Sequence, residues 1–116
     1  MNQKDVGRLG ETIARRYVEH HGYKIIHTNW HCHWGELDIV GSKQKRLYFF
    51  EVKTRQTDVL DSVSHHKLKH LFRTIQFYLK KYHHSFENFQ VDFIGVELKH
   101  DAPKIIHLEN VLEERI

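Results

Sequence analysis

A single cysteine, Cys32, stands among 116 residues. No internal disulfide can form, so stability must come from a packed core. One proline, Pro103, and six glycines leave no linker and no low-complexity stretch, and no internal repeat is evident. No apolar run approaches the ~20 residues that a membrane-crossing helix needs. Asn2 to Asp5 is polar and no long apolar run follows, so nothing here resembles a signal peptide and the expectation is a cytoplasmic protein with no membrane partner. Neither sign of charge dominates: 18 Lys plus Arg oppose 15 Asp plus Glu for a net +3, and the sequence pI is about 9.0. That balance permits a polyanionic partner without demanding one. Twelve histidines would make any such binding sensitive to pH as well as to salt. A chain this long builds one core, so residues 1–116 are expected to form one domain.

What is present is strong hydrophobic patterning. Val6, Leu9, Ile13, Ala14, Tyr17 and Val18 make a helical apolar stripe with Gly22 placed as a C-cap. Tyr23 to Asn29 alternates as a half-buried strand does. Gly35–Val40 and Leu47–Phe50 are strand-like runs joined by a polar connection, Gly41 to Arg46, and a polar loop spans Gln56 to Ser62. Leu68, Leu71, Phe72, Ile75, Leu79 and Tyr82 mark a long amphipathic helix. Phe89–Leu98 and Lys104–Leu108 read as strands, and Glu109–Arg115 as a short terminal helix. The periodicity alone gives a mixed α/β chain.

The chemistry sits at Glu51-Val52-Lys53. A carboxylate and an amine two apart on a strand share a face, so an apolar core run ends by aiming an acid and a base the same way. A hairpin register with Val40 opposite Phe49 brings Asp38 opposite Glu51 and Glu36 opposite Lys53. Facing carboxylates repel, and the arrangement becomes favourable when a cation sits between them. Oxygen ligands suit a hard ion, Mg²⁺ or Mn²⁺, better than zinc. The competing explanation is an edge ion-pair cluster in which Lys53 or Arg55 satisfies the two acids.

Asp38 followed after a hairpin-length gap by Glu51-x-Lys53 resembles the signature of the PD-(D/E)XK nuclease superfamily, the restriction-endonuclease-like fold. The ordered set Gly7-x-x-Gly10-Glu11, Gly22-Tyr23, Asn29, Gly35-Glu36-Leu37-Asp38, Phe50-Glu51-Val52-Lys53-Thr54-Arg55, Lys67 and Asp92 resembles the YraN-like family (UPF0102), relatives of archaeal Holliday-junction resolvases. The resemblance implies a three-layer α/β core, a mixed sheet flanked by helices. It further implies a metal-dependent nuclease acting on DNA, branched or single-stranded structures included, in repair or recombination. Asp38, Glu51 and the Val52 carbonyl would hold the ion, Lys53 would serve the attacking water and Glu11 would assist. The alternative is a binding module that keeps the fold without catalysis.

Several further residues carry two readings. Glu11 borders the buried stripe and either reaches a cleft or pairs with Arg15. Glu36 is expected to neutralise Lys53 or Arg55. Arg55, Lys67 and Arg73 are candidate nucleic-acid contacts, with Lys67 otherwise a lysine lying along apolar surface. Asp92 shares its strand face with Ile94 and Val96 and reads as structural, capping or pairing with Arg55. His31-Cys32-His33 lacks the ligands for a zinc site. Trp30 and Trp34 are candidates for stacking on bases, but a Trp next to Gly35 more often belongs to the core. His31 and Gln90-Val91 depart from the Arg and the Arg-Phe usual in the family, which removes cationic contacts. The oligomeric state is open, a homodimer included.

Overall fold

The computed structural model describes residues 2–62, 65–82 and 88–111, with the backbone alone described for 65–69. Helix α1 (Gln3–His20) leads into strands β1 (Lys24–Cys32), β2 (Gly35–Lys43) and β3 (Arg46–Arg55). A 3-10 turn (Val59–Ser62), helix α2 (His65–Tyr82) and strands β4 (Asn88–Glu97) and β5 (Lys104–Leu108) follow. The five strands lie in sequence order in one sheet. Every neighbouring pair is antiparallel except β3 with β4. A parallel pair needs a crossover connection, and α2 lies within it.

Each helix covers its own face of the sheet. Leu71, Ile75 and Tyr78 of α2 pack with Leu47, Phe49, Val91 and Phe93, while Ala14 and Val18 of α1 pack with Phe50, Val52, Ile94 and Val96. With both faces covered, β4 is buried from Gln90 to Glu97, as a strand in a parallel pair should be. This is the expected mixed α/β architecture with helices on both sides of a mixed sheet.

Local chemistry explains the boundaries of α1. The Asn2 side chain accepts the Asp5 N–H and opens the helix. At the other end Gly22, at φ +90°, donates to Glu19, and Tyr23 donates to Val18, which is the Schellman closure that the sequence pattern predicts. The buried line runs through Gly10, Ala14 and Val18, so Leu9, placed on the stripe by periodicity, is instead exposed. Gly10 is required there because a Cβ would stand 1.6 Å from Thr54 Oγ1 of β3.

Further expectations change. Gly41–Lys43 and Arg46 belong to strands, and only Gln44 and Lys45 turn, at φ +51° and +65°, the two-residue geometry favoured by twisted hairpins. β1 runs on through Cys32. In α2, Tyr78 is fully buried and accepts or donates at His27 Nδ1 over 2.8 Å, whereas Phe72 lies on the exposed side. Glu109 and Asn110 are not helical, and Val111 hangs on β4 through a bond to the Val91 carbonyl; residues 112–115 of the expected terminal helix lie outside the described ones.

Candidate active site

β2 and β3 pair with Val40 opposite Phe49, as the hairpin reading requires, but the ladder stops at Ile39 and Phe50, so the expected rungs of Asp38 with Glu51 and Glu36 with Lys53 are not formed. Beyond it the chain is irregular. Leu37 packs under α2 and Ile39 under α1, although two residues apart should share a face, so β2 turns over at Asp38. Across from Asp38, Asn29 of β1 takes φ +50°, a left-handed conformation that Asn tolerates better than most side chains. The rungs from Thr28 to Ile39 and from Trp30 to Leu37 flank this position.

The turn frees the Asp38 side chain to cross the gap. Its Oδ2 accepts the Val52 N–H at 2.8 Å. A strand residue sends its N–H and C=O to the same side, so the Val52 carbonyl also faces the parting between β2 and β3. Glu51 and Lys53 continue the alternation of Leu47 and Phe49. Thus Asp38, Glu51, Lys53 and the Val52 carbonyl meet where two strands separate.

A cleft of about 800 Å³ opens there, lined among others by Glu11, Glu36, Asp38, Glu51, Lys53 and Arg55. The close approach of Gly10 to Thr54 is what brings Glu11 to it. A smaller cavity of about 260 Å³ shares Glu36, Asp38, Glu51 and Lys53 and reaches toward Trp34, His70 and Thr74 on the α2 side. The carboxylates are therefore approachable from both sides of the sheet.

Electrostatics mark Asp38 as the least comfortable of these groups. Burial first and Glu51 second push its carboxyl up to about 8, against the Val52 N–H, with Glu11 and Glu36 adding to the rise. Burial and the charge of Glu36 raise Glu11, which Arg15 offsets in part. The donor set of two neighbouring carboxylates and a carbonyl fits a hard divalent ion, whose charge would relieve this repulsion. Among the described residues no three His, Cys, Asp or Glu side chains already stand together as an ion-holding group, so a third side-chain ligand such as Glu11 would have to move in.

The remaining sequence-predicted residues fall in different places. Arg55 is exposed at the end of β3 and lines the cleft. Lys67 lies on the first turns of α2 by its backbone, and its side chain is outside the described residues. Arg73 is exposed and stacks its guanidinium 4.8 Å from the Trp34 ring centroid. Among the described residues neither Lys53 nor Arg55 forms an ion pair with Glu36, so the expected neutralisation is not made. Asp92 is structural, as read, but its partner is His107 rather than Arg55: His107 Nε2 lies 2.7 Å from Oδ2, and Gln90 Nε2 and the Asn110 N–H donate to Oδ1. Trp34, expected in the core, is 44 % exposed.

Asn29 and His107 are the residues whose roles the pattern alone did not give, whereas Trp34 was already a candidate for stacking on bases. Asn29 had a signal, being one of the ordered landmarks. His107 had none, because its partner lies 15 positions away on a neighbouring strand.

The family model described as "Uncharacterised protein family UPF0102" matches residues 10–96, a span that holds Glu11, Asp38, Glu51-Val52-Lys53 and Asp92. A UPF0102 protein of Parabacteroides distasonis is 43% identical over 82 residues, covering 67% of this chain and 68% of the relative. A UPF0102 protein of Dehalococcoides mccartyi is 35% identical over 119 residues, 97% of each chain, and one of Caldicellulosiruptor bescii is 33% identical over 118 residues, 98% of each. Matched across three quarters of its length and aligned end to end with relatives of its own size, the chain belongs to the UPF0102 family.

Proposed function

We propose that this protein is a Mg²⁺- or Mn²⁺-dependent nuclease that hydrolyses DNA phosphodiester bonds, a PD-(D/E)XK enzyme of the cytoplasm. The observation that carries the reading is the meeting of Asp38, Glu51 and Lys53 at the parting of β2 and β3, in a cleft that Glu11 also lines. An ion-pair cluster built for stability would satisfy its acids, and this one leaves Asp38 strongly strained electrostatically.

A divalent ion supplies Lewis-acid charge for the phosphate. Asp38 and Glu51, with the Val52 carbonyl, are the groups that would hold it. The Val52 N–H fixes one Asp38 oxygen and leaves the other oxygen for the cleft. Lys53 Nζ, on the same strand face as Glu51, orients the attacking water and offsets the charge that grows on the phosphate oxygens. Glu11 positions that water or completes the ligand set. Arg55 at the rim meets a neighbouring phosphate.

One observation favours a second reading, a nucleic-acid-binding accessory module: no three acidic or His side chains are already gathered as a ligand group among the described residues. A divalent-metal titration against branched, single-stranded and duplex DNA, read for both binding and cutting, decides between the two. Metal-dependent cutting that Lys53→Ala abolishes supports the nuclease. DNA binding with no cutting above the Lys53→Ala background, on any structure and with any metal, leaves the accessory module.

A further inference from the structure

Trp34 stands in the two-residue turn between β1 and β2. An exposed Trp alone means little, but this one is held and shares a cavity with the carboxylates. Its backbone N–H donates to Cys32 Sγ at 3.4 Å. The next residue, Gly35, lies so near α2 that a Cβ would come within 2.8 Å of Thr74 Oγ1, and Thr74 is itself buried. The turn is thus clasped to α2, and Arg73, one residue earlier on that helix, lays its guanidinium over the indole at 4.8 Å. The cavity of about 260 Å³ runs from Trp34 to Asp38, Glu51 and Lys53. Phe72 and Phe77 are also exposed on α2, yet neither lines this cavity.

We propose that Trp34 and Arg73 form a stacking site for one unpaired nucleobase of a DNA strand whose adjacent phosphate enters the carboxylate cleft. This rests on the reading of that cleft as a phosphodiester site. A base must expose its face to stack on a protein ring, which bases inside a duplex do not. The cavity lies just below the ~300–1,000 Å³ that drug-sized ligands occupy, room for a base and its sugar but not for a duplex. The guanidinium adds a cation–π contact to the stack and a positive charge for the flanking phosphate. The substrate class that follows is DNA with unpaired bases at the cut: single strands, flaps, gaps or junction points.

The test is equilibrium binding of fluorophore-labelled oligothymidine and of a blunt duplex of equal length. It uses wild type, Trp34→Ala and Trp34→Phe, each checked for an unchanged melting temperature, in Ca²⁺ and again after chelation so that no cutting is needed. Trp34→Ala should weaken single-strand binding by about 5- to 150-fold, the effect of ~1–3 kcal/mol per stacked base, and leave the duplex within about twofold. Trp34→Phe should recover most of the loss. Equal weakening on both DNAs, no weakening on the single strand, or no single-strand binding by wild type overturns the proposal. The nuclease reading fails separately: a protein that binds single strands through Trp34 but never cuts keeps the stacking site and loses the nuclease, and one that cuts but ignores Trp34 does the reverse.

Discussion

Two aspartates in neighbouring parts of the sheet, Asp38 half-buried at the cleft and Asp92 fully buried, end in opposite conditions. Asp92 is fully buried and completely furnished: Gln90, His107 and the Asn110 N–H all reach it. The furnishing extends outward, since Arg46 donates to Gln90 and Tyr17 OH meets His107 Nδ1. Asp38 has one backbone N–H and faces three other carboxylates. Burial of a charge is costly unless it is paired and hydrogen-bonded. The fold meets that requirement at Asp92 from its own side chains. At Asp38 no described side chain does so, although among the described residues no buried side-chain polar atom lacks a partner. What separates the two acids is whether the described side chains supply the counter-charge.

The contrast breaks most sharply in activity. Lys53→Ala should lower DNA cleavage by about 10²–10⁴-fold, the usual contribution of a positioned proton-transfer group, with DNA affinity reduced only modestly because one lysine is a small part of a phosphate-contact surface. Asp38→Asn should abolish cleavage as well. Single-turnover cutting assays beside binding curves separate the two effects. If an Asp92→Asn protein that stays folded loses cleavage as completely as Asp38→Asn, the division of roles collapses.

Stability should sort the two acids the other way. Asp92→Ala strands Gln90, His107 and the Asn110 N–H, and breaking a buried pair of this kind costs about 3–5 kcal/mol. Asp38→Asn, by contrast, removes repulsion and should hold or raise the melting temperature without metal. Mg²⁺ or Mn²⁺ should raise the wild-type melting temperature because the ion binds the native state only, and that gain should vanish in Asp38→Asn. Thermal melts of the three proteins with and without metal check all of this; equal metal-induced shifts in wild type and Asp38→Asn would remove the ion from this site.

The same contrast bears on what the sequence could show. The pairing of Val40 with Phe49 was legible from the length of the connection between the two runs, whereas the break in alternation at Asp38, which parts Leu37 from Ile39, was not. The Gly22 cap and the exact bounds of β5 were legible for similar local reasons. The partner of Asp92 was not, because it comes from β5 and only the three-dimensional pairing of β4 with β5 brings His107 near. Nor was the burial of Val59. It reads as loop, yet it packs against Gly95 and donates to Glu97 at 2.9 Å. Trp34 was misplaced for a related cause: composition says a Trp is usually inside, and a two-residue turn held against α2 puts this one outside.

Acid titration gives a finer cut. The Asp38 carboxyl rises from an ordinary 3.8 to about 8 in the folded protein. Between those values the native state keeps a proton that the unfolded chain has lost, so stability falls as pH rises from about 4 toward 8. Glu97 runs opposite. The Val59 N–H holds its carboxyl below the usual range, so its contribution is present above the unfolded value and is lost as pH falls through the folded one. Metal-free melts from pH 5 to 8 should show wild type losing stability with rising pH and Asp38→Asn losing less. Saturating Mg²⁺ should flatten the wild-type slope. A wild-type slope no steeper than that of Asp38→Asn would mean that the carboxylate cluster is relaxed in solution.

The smallest effect concerns the approach of DNA rather than its cutting. Arg73 is exposed beside the cavity that leads to the carboxylates, and Lys67 lies nearly two turns earlier on the same helix, so both are offered as phosphate contacts along α2. Such contacts carry no sequence information, and replacing both residues by Gln should weaken binding to unrelated sequences alike. Losing two contacts should also flatten the slope of log affinity against log salt by roughly 1.8, at about 0.9 per duplex phosphate. The shift is modest in affinity at any one salt concentration, which is why the slope is the quantity to measure. It also distinguishes the partners of the stacked pair, since Trp34→Ala should change single-strand affinity with little change of slope. An unaltered slope in a folded Lys67→Gln/Arg73→Gln protein would place the phosphate track on the other side of the cleft, around Arg55 and the residues that follow it.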